Sequence, residues 1–276
     1  MTHSASRVSH RRMLLQLWML FACALASPLR FQNSSFTRFQ RGSFTRFQNS
    51  SFARFVHSMQ DSVSDGMDQG CELWTTRIGV SIAKSRKIKG GNYVQIATVD
   101  AEGLPSCRTV VFRGFTNITS KKIGELKTMR MITDKRSEKV SHILNKPAAE
   151  LVWWFSQSSE QYRLFGELIL INPSIKIDDD LDTPQLLAIR NQQWNELSDT
   201  AREQFYWHHP GVSYSGSVEE IPKGGRDANN KILPPPDSFS LLLLHPTKCK
   251  YLRLRDNFAQ QDILIDRNWS INRVNP

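Results

Sequence analysis

From Asn92 onward the chain offers one short β-type segment after another, joined mostly by turns rather than by crossover helices. Asn92 to Val99 (NYVQIATV) alternates apolar and polar side chains, as a strand with one buried face does. Asp100-Ala-Glu-Gly103 is a turn, and Pro105 to Phe112 is a second strand rich in Thr and Val, so this stretch predicts a β-hairpin. Met129–Thr133, Ala149–Ser156 and Tyr162–Ile171 follow, the last two strongly β-branched and aromatic. Ser240–Leu244, Lys250–Leu254, Asp262–Ile265 and Trp269–Val274 complete the set. Helices are few. Trp74–Ser85 reads as one, and Ser137–Leu144 as a second, with Ser137 as N-cap and Lys146-Pro147 beyond its end. In Pro184–Trp207, the residues Leu186, Ile189, Trp194, Leu197, Ala201 and Phe205 recur at near-helical spacing, and 212–237 is a loop rich in Gly, Asn and Pro. Six to eight short strands in hairpin order predict a mainly β (β+α) chain, a β-barrel with peripheral helices. There is no βαβ alternation, no GxGxxG and no Walker loop, which argues against a Rossmann domain or a nucleoside triphosphatase.

Charge narrows the function. The net charge is +10, from 36 basic and 26 acidic residues, but eight of the Arg and none of the acids lie in residues 1–60. That leaves 28 basic against 26 acidic in 61–276, which removes most of the case for nucleic-acid binding. The first 70 residues read as an address. Residues 1–26 hold a basic flank, the apolar run Met13–Ala26 and a small-x-small end at Ala24-Leu-Ala26, a pattern of signal-peptide type, too short to span a bilayer. Residues 27–70 carry an eight-residue repeat (FQNSSFTR, FQRGSFTR, FQNSSFAR) rich in Ser, Arg and Phe, of transit-peptide composition. Together they resemble the bipartite presequence of a secondary plastid, with secretion or mitochondrial import as alternatives. No membrane association is expected after leader removal. The remaining 71–276 is read as one domain.

The four Cys (23, 71, 107, 249) show no CxxC and no disulfide framework, and His208-His209 with Cys249 makes no metal site. Two segments carry possible chemistry. Arg108-Thr-Val-Val-Phe-Arg113 sets two cations on an apolar strand, a poor choice for a core unless an anion meets them; by alternation the two face opposite sides unless a bend or bulge intervenes. Thr133-Asp-Lys-Arg-Ser-Glu-Lys139 runs a strand into a helix start with a hydroxyl and a Lys, a ready phosphate site. Either segment alone is compatible with ordinary charged turns and caps.

Their order along the chain is more specific. An R-x-x-x-x-[KR] strand, a T-x-x-x-S-x-K turn, Asn145-Lys-Pro147, an aromatic strand and Glu160-Gln161-Tyr-Arg163-x-x-Gly166 together resemble the FMN-binding split barrel of the pyridoxamine 5′-phosphate oxidase family. The ending Trp269-Ser-Ile-Asn-Arg273-Val-Asn-Pro276 is similar to that family's close. The resemblance implies that Arg108 and Lys139 pair with the FMN phosphate and that Ser137 hydrogen-bonds to it. It implies Val110, Val111 and Arg113 along the isoalloxazine, with Arg113 reaching the flavin or a substrate phosphate, and Ile132 and Thr133 at the ribityl chain. It implies Gln161 from the partner of a homodimer that holds FMN at its interface, and Arg253 and Arg255 on a small anionic substrate.

The chain departs from the family at Glu138, where a second phosphate-binding Arg is usual, and at Arg255 and Asn257, where true oxidases have His and Arg. Their Y-x-x-x-R-P-x-x-S phosphate grip has no counterpart in 172–235, where Arg190, Trp194, Arg202 and Trp207 stand instead. No general base is identifiable. The expectation is an FMN-dependent oxidoreductase of vitamin B6 type, with O₂ as acceptor. A non-catalytic FMN carrier or sensor, or a flavin reductase with another substrate, is the alternative. A partner- or nucleic-acid-binding barrel built on Trp153-Trp154 is disfavoured, because that pair reads as core plus dimer interface.

Overall fold

One strand organises the sheet, and its sequence explains how. The computed structural model describes residues 71–276 apart from 217–219, so the leader segments 1–26 and 27–70 lie outside the described residues. The elements are α1 (Trp74–Ser85), β1 (Tyr93–Val99), β2 (Pro105–Val111), β3 (Gly114–Ser120), β4 (Gly124–Asp134), α2 (Glu138–Asn145), β5 (Ala148–Phe155), β6 (Glu160–Ile171), α3 (Thr183–Asn195), α4 (Asp199–Glu203), β7 (Phe239–Arg253), β8 (Phe258–Ile265) and β9 (Asn268–Val274). The described strands pair antiparallel in the order β2-β1-β5-β6-β7-β4-β3, and the β8–β9 hairpin joins β7. β6 flanks β7 throughout. On its other flank β7 pairs with β4 through Phe239–Leu244 and with β8 through Lys248–Arg253. The sheet therefore splits at His245-Pro246-Thr247.

The sequence suggested two strands here, Ser240–Leu244 and Lys250–Leu254, and the structure has one. Pro246 falls where β4 has left and β8 has not begun, so its missing N–H breaks no bond on that flank. On the β6 side the register shifts between Phe165 and Gly166, and a Cβ on Gly166 would lie 2.0 Å from the His245 carbonyl oxygen. The backbones meet there because Gly166 has no side chain.

The run Leu241–Leu244 is apolar without alternation because both faces of β7 are covered. Leu242 and Leu244 point into the barrel core with Val94, Ile96, Met129, Met131, Leu151 and Leu164. Leu241 and Leu243 face the other way, packed by Ile118, Leu126, Ile171 and Leu186 of α3. All four leucines are fully buried, each stabilising the fold by up to about 2 kcal/mol. A third cluster seats Trp194, Leu197 and Phe205 on Phe239.

α1 closes the barrel through polar contacts as well as through Trp74 and Ile78. The Trp74 amide donates to Asp262 Oδ2 (2.7 Å), and Ser81 donates to Glu160 Oε2 (2.7 Å). Tyr251 donates to Glu160 Oε1 (2.7 Å), while the Arg77 guanidinium lies 4.5 Å above the Tyr251 ring. Trp153 is buried with Nε1 donating to the Gly91 carbonyl, whereas Trp154 is half out of the opposite face, as alternation requires. β3 was not anticipated. It is an edge strand of Thr, Asn and Ser with only Phe115 and Ile118 to mark it.

Candidate functional site

At one end of the barrel the last residues of β4 and the first turn of α2 bring three side chains into mutual contact. Lys139 Nζ donates to Ser137 Oγ (3.0 Å) and to Thr133 Oγ1 (3.2 Å), and the two hydroxyls lie 3.1 Å apart. Thr133 is buried because it shares the inward face of β4 with Met129 and Met131. Ser137 occupies the N-cap position, as expected, but makes no side-chain bond to the helix; its hydroxyl donates backward to the Asp134 carbonyl (2.7 Å). The opening N–H groups of α2 thus keep their capacity for an outside acceptor.

Arg108 joins from β2. Its Nη1 donates to Thr98 Oγ1 (2.6 Å), to the Ser106 carbonyl (2.9 Å) and to the Ile96 carbonyl (3.4 Å). It stands near enough to Lys139 to act on its proton. Burial pulls the Lys139 pKa below the ordinary lysine value, and the Arg108 charge pulls it the same way. Asp134 and Glu138 oppose this weakly from a distance. Among the described residues neither Arg108 nor Lys139 forms an ion pair. Two partly buried cations beside two hydroxyls and a helix start amount to a receptor for a compact dianion.

The other expected positions separate by face. β2 ends at Val111, so Arg113 lies beyond the strand, and the alternation argument does not reach it. Its amide donates to the Arg130 carbonyl (2.8 Å), burial lowers its guanidinium pKa, and its Nε is buried without a partner. Val110 is in the barrel core, whereas Val111 pairs with the exposed Tyr93 on the outer face. Ile132 points away from Thr133 and packs against the Trp194 cluster, so only its backbone is turned to the site.

Gln161 is not on the Arg108 face. Arg108 pairs with Ile96, Ile96 with Leu151 and Leu151 with Leu164, three fully buried residues on one face. Gln161 is three residues from Leu164 along β6 and so faces out, beside Arg163, Lys250 and Leu252 in a shallow cleft rimmed by the C-terminal Val274–Pro276.

Arg253 is held by Asp256 through two bonds (2.8 and 2.7 Å) and stacks on Phe258, with its pKa raised first by the Asp256 bond; Arg255 is exposed. No contact joins Arg253 to the Lys139 cluster among the described residues. Glu138 is turned to solvent, and Arg136 does not replace the missing arginine, because Asp134 grips it through Nε (3.0 Å) and Nη2 (2.7 Å). Arg190 and Arg202 prove structural, buried and bonded to backbone carbonyls. Sequence reasoning missed Thr98, whose hydroxyl accepts from Arg108, and His142, whose Nδ1 lies 3.1 Å from that hydroxyl; nothing in the chain pattern ties residues so far apart.

Comparison with known proteins identifies the family. The family model described as pyridoxamine 5′-phosphate oxidase, FMN-binding domain, matches residues 71–172. A curated relative, pyridoxine/pyridoxamine 5′-phosphate oxidase 2 of Arabidopsis thaliana, is 29% identical over 208 residues, covering 74% of this chain and 96% of that protein. The crystal structure of a pyridoxamine 5′-phosphate oxidase-related, FMN binding protein from Nostoc punctiforme is 32% identical, covers 76% of this chain and all of that one, and has a TM-score of 0.61. PhzG from Burkholderia lata, 13% identical with a TM-score of 0.55 over 78% of this chain and 98% of its own, shares the fold.

Proposed function

The chain belongs to the pyridoxamine 5′-phosphate oxidase family of FMN-binding split barrels, and on that footing we propose that it is an FMN-dependent oxidoreductase whose cofactor phosphate is held by Arg108, Thr133, Ser137 and Lys139. FMN is the cofactor of this family. One observation carries the assignment: Arg108 and Lys139 sit partly buried, close together and, among the described residues, free of ion pairs, beside two hydroxyls and an uncapped helix start. Those donors fit a phosphate monoester. The orphaned, buried Nε of Arg113 fits an acceptor atom of the flavin or of a substrate phosphate.

When bound, FMN supplies the redox chemistry, taking a hydride from the substrate and returning the electrons to O₂. The chain's own residues bind and orient. Arg108 and Lys139 would offset the phosphate charge, Ser137 and Thr133 would fix its rotation, and the backbone from Val110 to Arg113 would hold the ring. The opposite facing of Gln161 and Arg108 supports a homodimer, because only a second copy can bring its Gln161 to the same flavin. Arg253 and Arg255 would meet the anionic group of a pyridoxamine or pyridoxine 5′-phosphate substrate, with Asp256 yielding part of its hold on Arg253.

The Arg253–Asp256 pair also favours a second reading. An arginine already satisfied by its own loop grips a substrate anion less well, which suits an FMN-binding protein with a different substrate or with none. Purified protein should carry flavin released on denaturation as FMN. Anaerobic pyridoxamine 5′-phosphate should bleach its visible band; retained colour excludes the B6 reaction, and absence of FMN excludes both readings. Light scattering that shows an FMN-loaded monomer would remove the shared site. For residues 1–70 we assign organelle import, to a plastid, supported by the apolar run followed by an acid-free Ser- and Arg-rich stretch. Locating the tagged full chain tests this, with secretion or mitochondria as the contrary results.

A further inference from the structure

His142, on the last turn of α2, is almost fully buried, and its Nδ1 lies 3.1 Å from Thr98 Oγ1. The same hydroxyl accepts from Arg108 Nη1 at 2.6 Å and is itself buried. A threonine hydroxyl has one proton and two acceptor sites. With Arg108 donating into it, and with no other partner for it among the described residues, its proton goes to His142 Nδ1. The imidazole proton then sits on Nε2, toward Glu138 Oε1 at 4.0 Å. We propose that His142 is a positioning residue for the FMN phosphate, acting through Thr98 to hold the Arg108 guanidinium at the angle that leaves its Nε and Nη2 open to the phosphate. The inference rests on the phosphate assignment above and adds to it a residue that touches neither cofactor nor substrate.

The chemistry favours orientation over mere packing. Among the described residues all three bonds of Arg108 run through Nη1, so Nη2 and Nε have no partner there and remain donors for an outside oxygen. Two of those bonds go to backbone carbonyls fixed by the β1–β2 ladder. The third, the shortest, goes to a side chain that can rotate. Among the described residues the contact that sets the direction of the Thr98 hydroxyl is the one with His142 Nδ1. α2 therefore contributes twice to one anion: directly through Lys139 in its first turn, and at one remove through His142 in its last.

The test compares FMN with riboflavin, which differ only by the phosphate. The purified chain, cleared of flavin by dialysis, is titrated with each by flavin fluorescence. His142→Ala and Thr98→Val should each weaken FMN about tenfold while leaving riboflavin within about twofold, the scale of one misaligned charge-assisted bond. His142→Asn, whose amide oxygen can accept in place of Nδ1, should restore most of the loss. Equal weakening of both flavins, or unchanged FMN affinity in both variants, overturns the proposal and leaves His142 a packing residue. If His142→Ala does not fold, Thr98→Val, of nearly the same volume, decides. A wild-type chain that binds both flavins equally would refute the phosphate assignment itself, a result visible before any variant is made.

Discussion

Two groups of buried cations in this molecule differ in one respect. In the helical layer, Arg190 gives Nε and Nη2 to the Phe239 carbonyl (3.1 and 2.8 Å) and Nη2 also to the Pro236 carbonyl (3.0 Å). Arg202 spends Nε on the Gly224 carbonyl (2.8 Å), Nη1 on the Leu197 carbonyl and Nη2 on Asp199. At the barrel end, among the described residues, Arg108 uses a single nitrogen, Lys139 meets only hydroxyls, and no carboxylate pairs with either. The saturated arginines do the work of a loop scaffold, tying irregular backbone that has no ladder of its own. The unsaturated pair keeps donor capacity that the fold does not consume. Residue type does not separate the two groups; the count of partners does.

That contrast can be broken by experiment. Gly166→Ala should have the largest effect, because its Cβ would strike the His245 carbonyl at the split of the sheet; a loss of more than about 3 kcal/mol in denaturant unfolding is expected. Arg202→Met should cost about 3 kcal/mol by stranding two buried carbonyls, with FMN affinity unaltered in whatever protein remains folded. Arg108→Ala and Lys139→Ala should do the reverse, each weakening FMN by about 2 kcal/mol in a fluorescence titration and leaving flavin-free stability equal or slightly higher, since two like charges are relieved. If these two destabilise the empty protein as Arg202→Met does, the distinction fails.

The smallest effect concerns Asp262, whose carboxyl burial raises above the ordinary 3.8 despite bonds from Gln260 and the Trp74 amide. An acid with a raised folded pKa binds more protons folded than unfolded in the window just above 3.8. Its share of stability is therefore full below that value and declines as pH rises through the folded pKa. Asp262→Asn should flatten this part of the stability–pH curve, at a cost of about 1 kcal/mol because the two donors reach different oxygens, one of which becomes an NH2 group.

Much of this was readable in the chain. The β1–β2 hairpin is marked by alternation around a Gly turn, and α2 by a serine before it and Lys146-Pro147 after it. Thr133, Ser137 and Lys139 were legible as a group because seven consecutive residues contain them all. What escaped depends on contacts distant in sequence. β3 has too few apolar residues to announce a strand and is defined by its pairing with β4. The continuity of β7 through Pro246 depends on which neighbours are absent there. The face that the Ile132 side chain takes was not legible either, because both faces of β4 are covered and its own belongs to the helical layer. The grip of Asp256 on Arg253 runs across a tight turn that the sequence does not spell out.

The shared strand at the split has a consequence for how the molecule comes apart. β6 and β7 form one ribbon through both parts of the sheet, with twelve aligned residue pairs and a single step in register. A slip by one residue would turn the leucines of the upper part and Cys249 and Tyr251 of the lower part to their wrong sides together. Neither part can melt while the other keeps its ribbon intact, so the sheet dissolves in a single transition. Its assembly must wait until chain as far apart as β1 and β8 has been gathered, which sets the pace of folding by search rather than by local propensity.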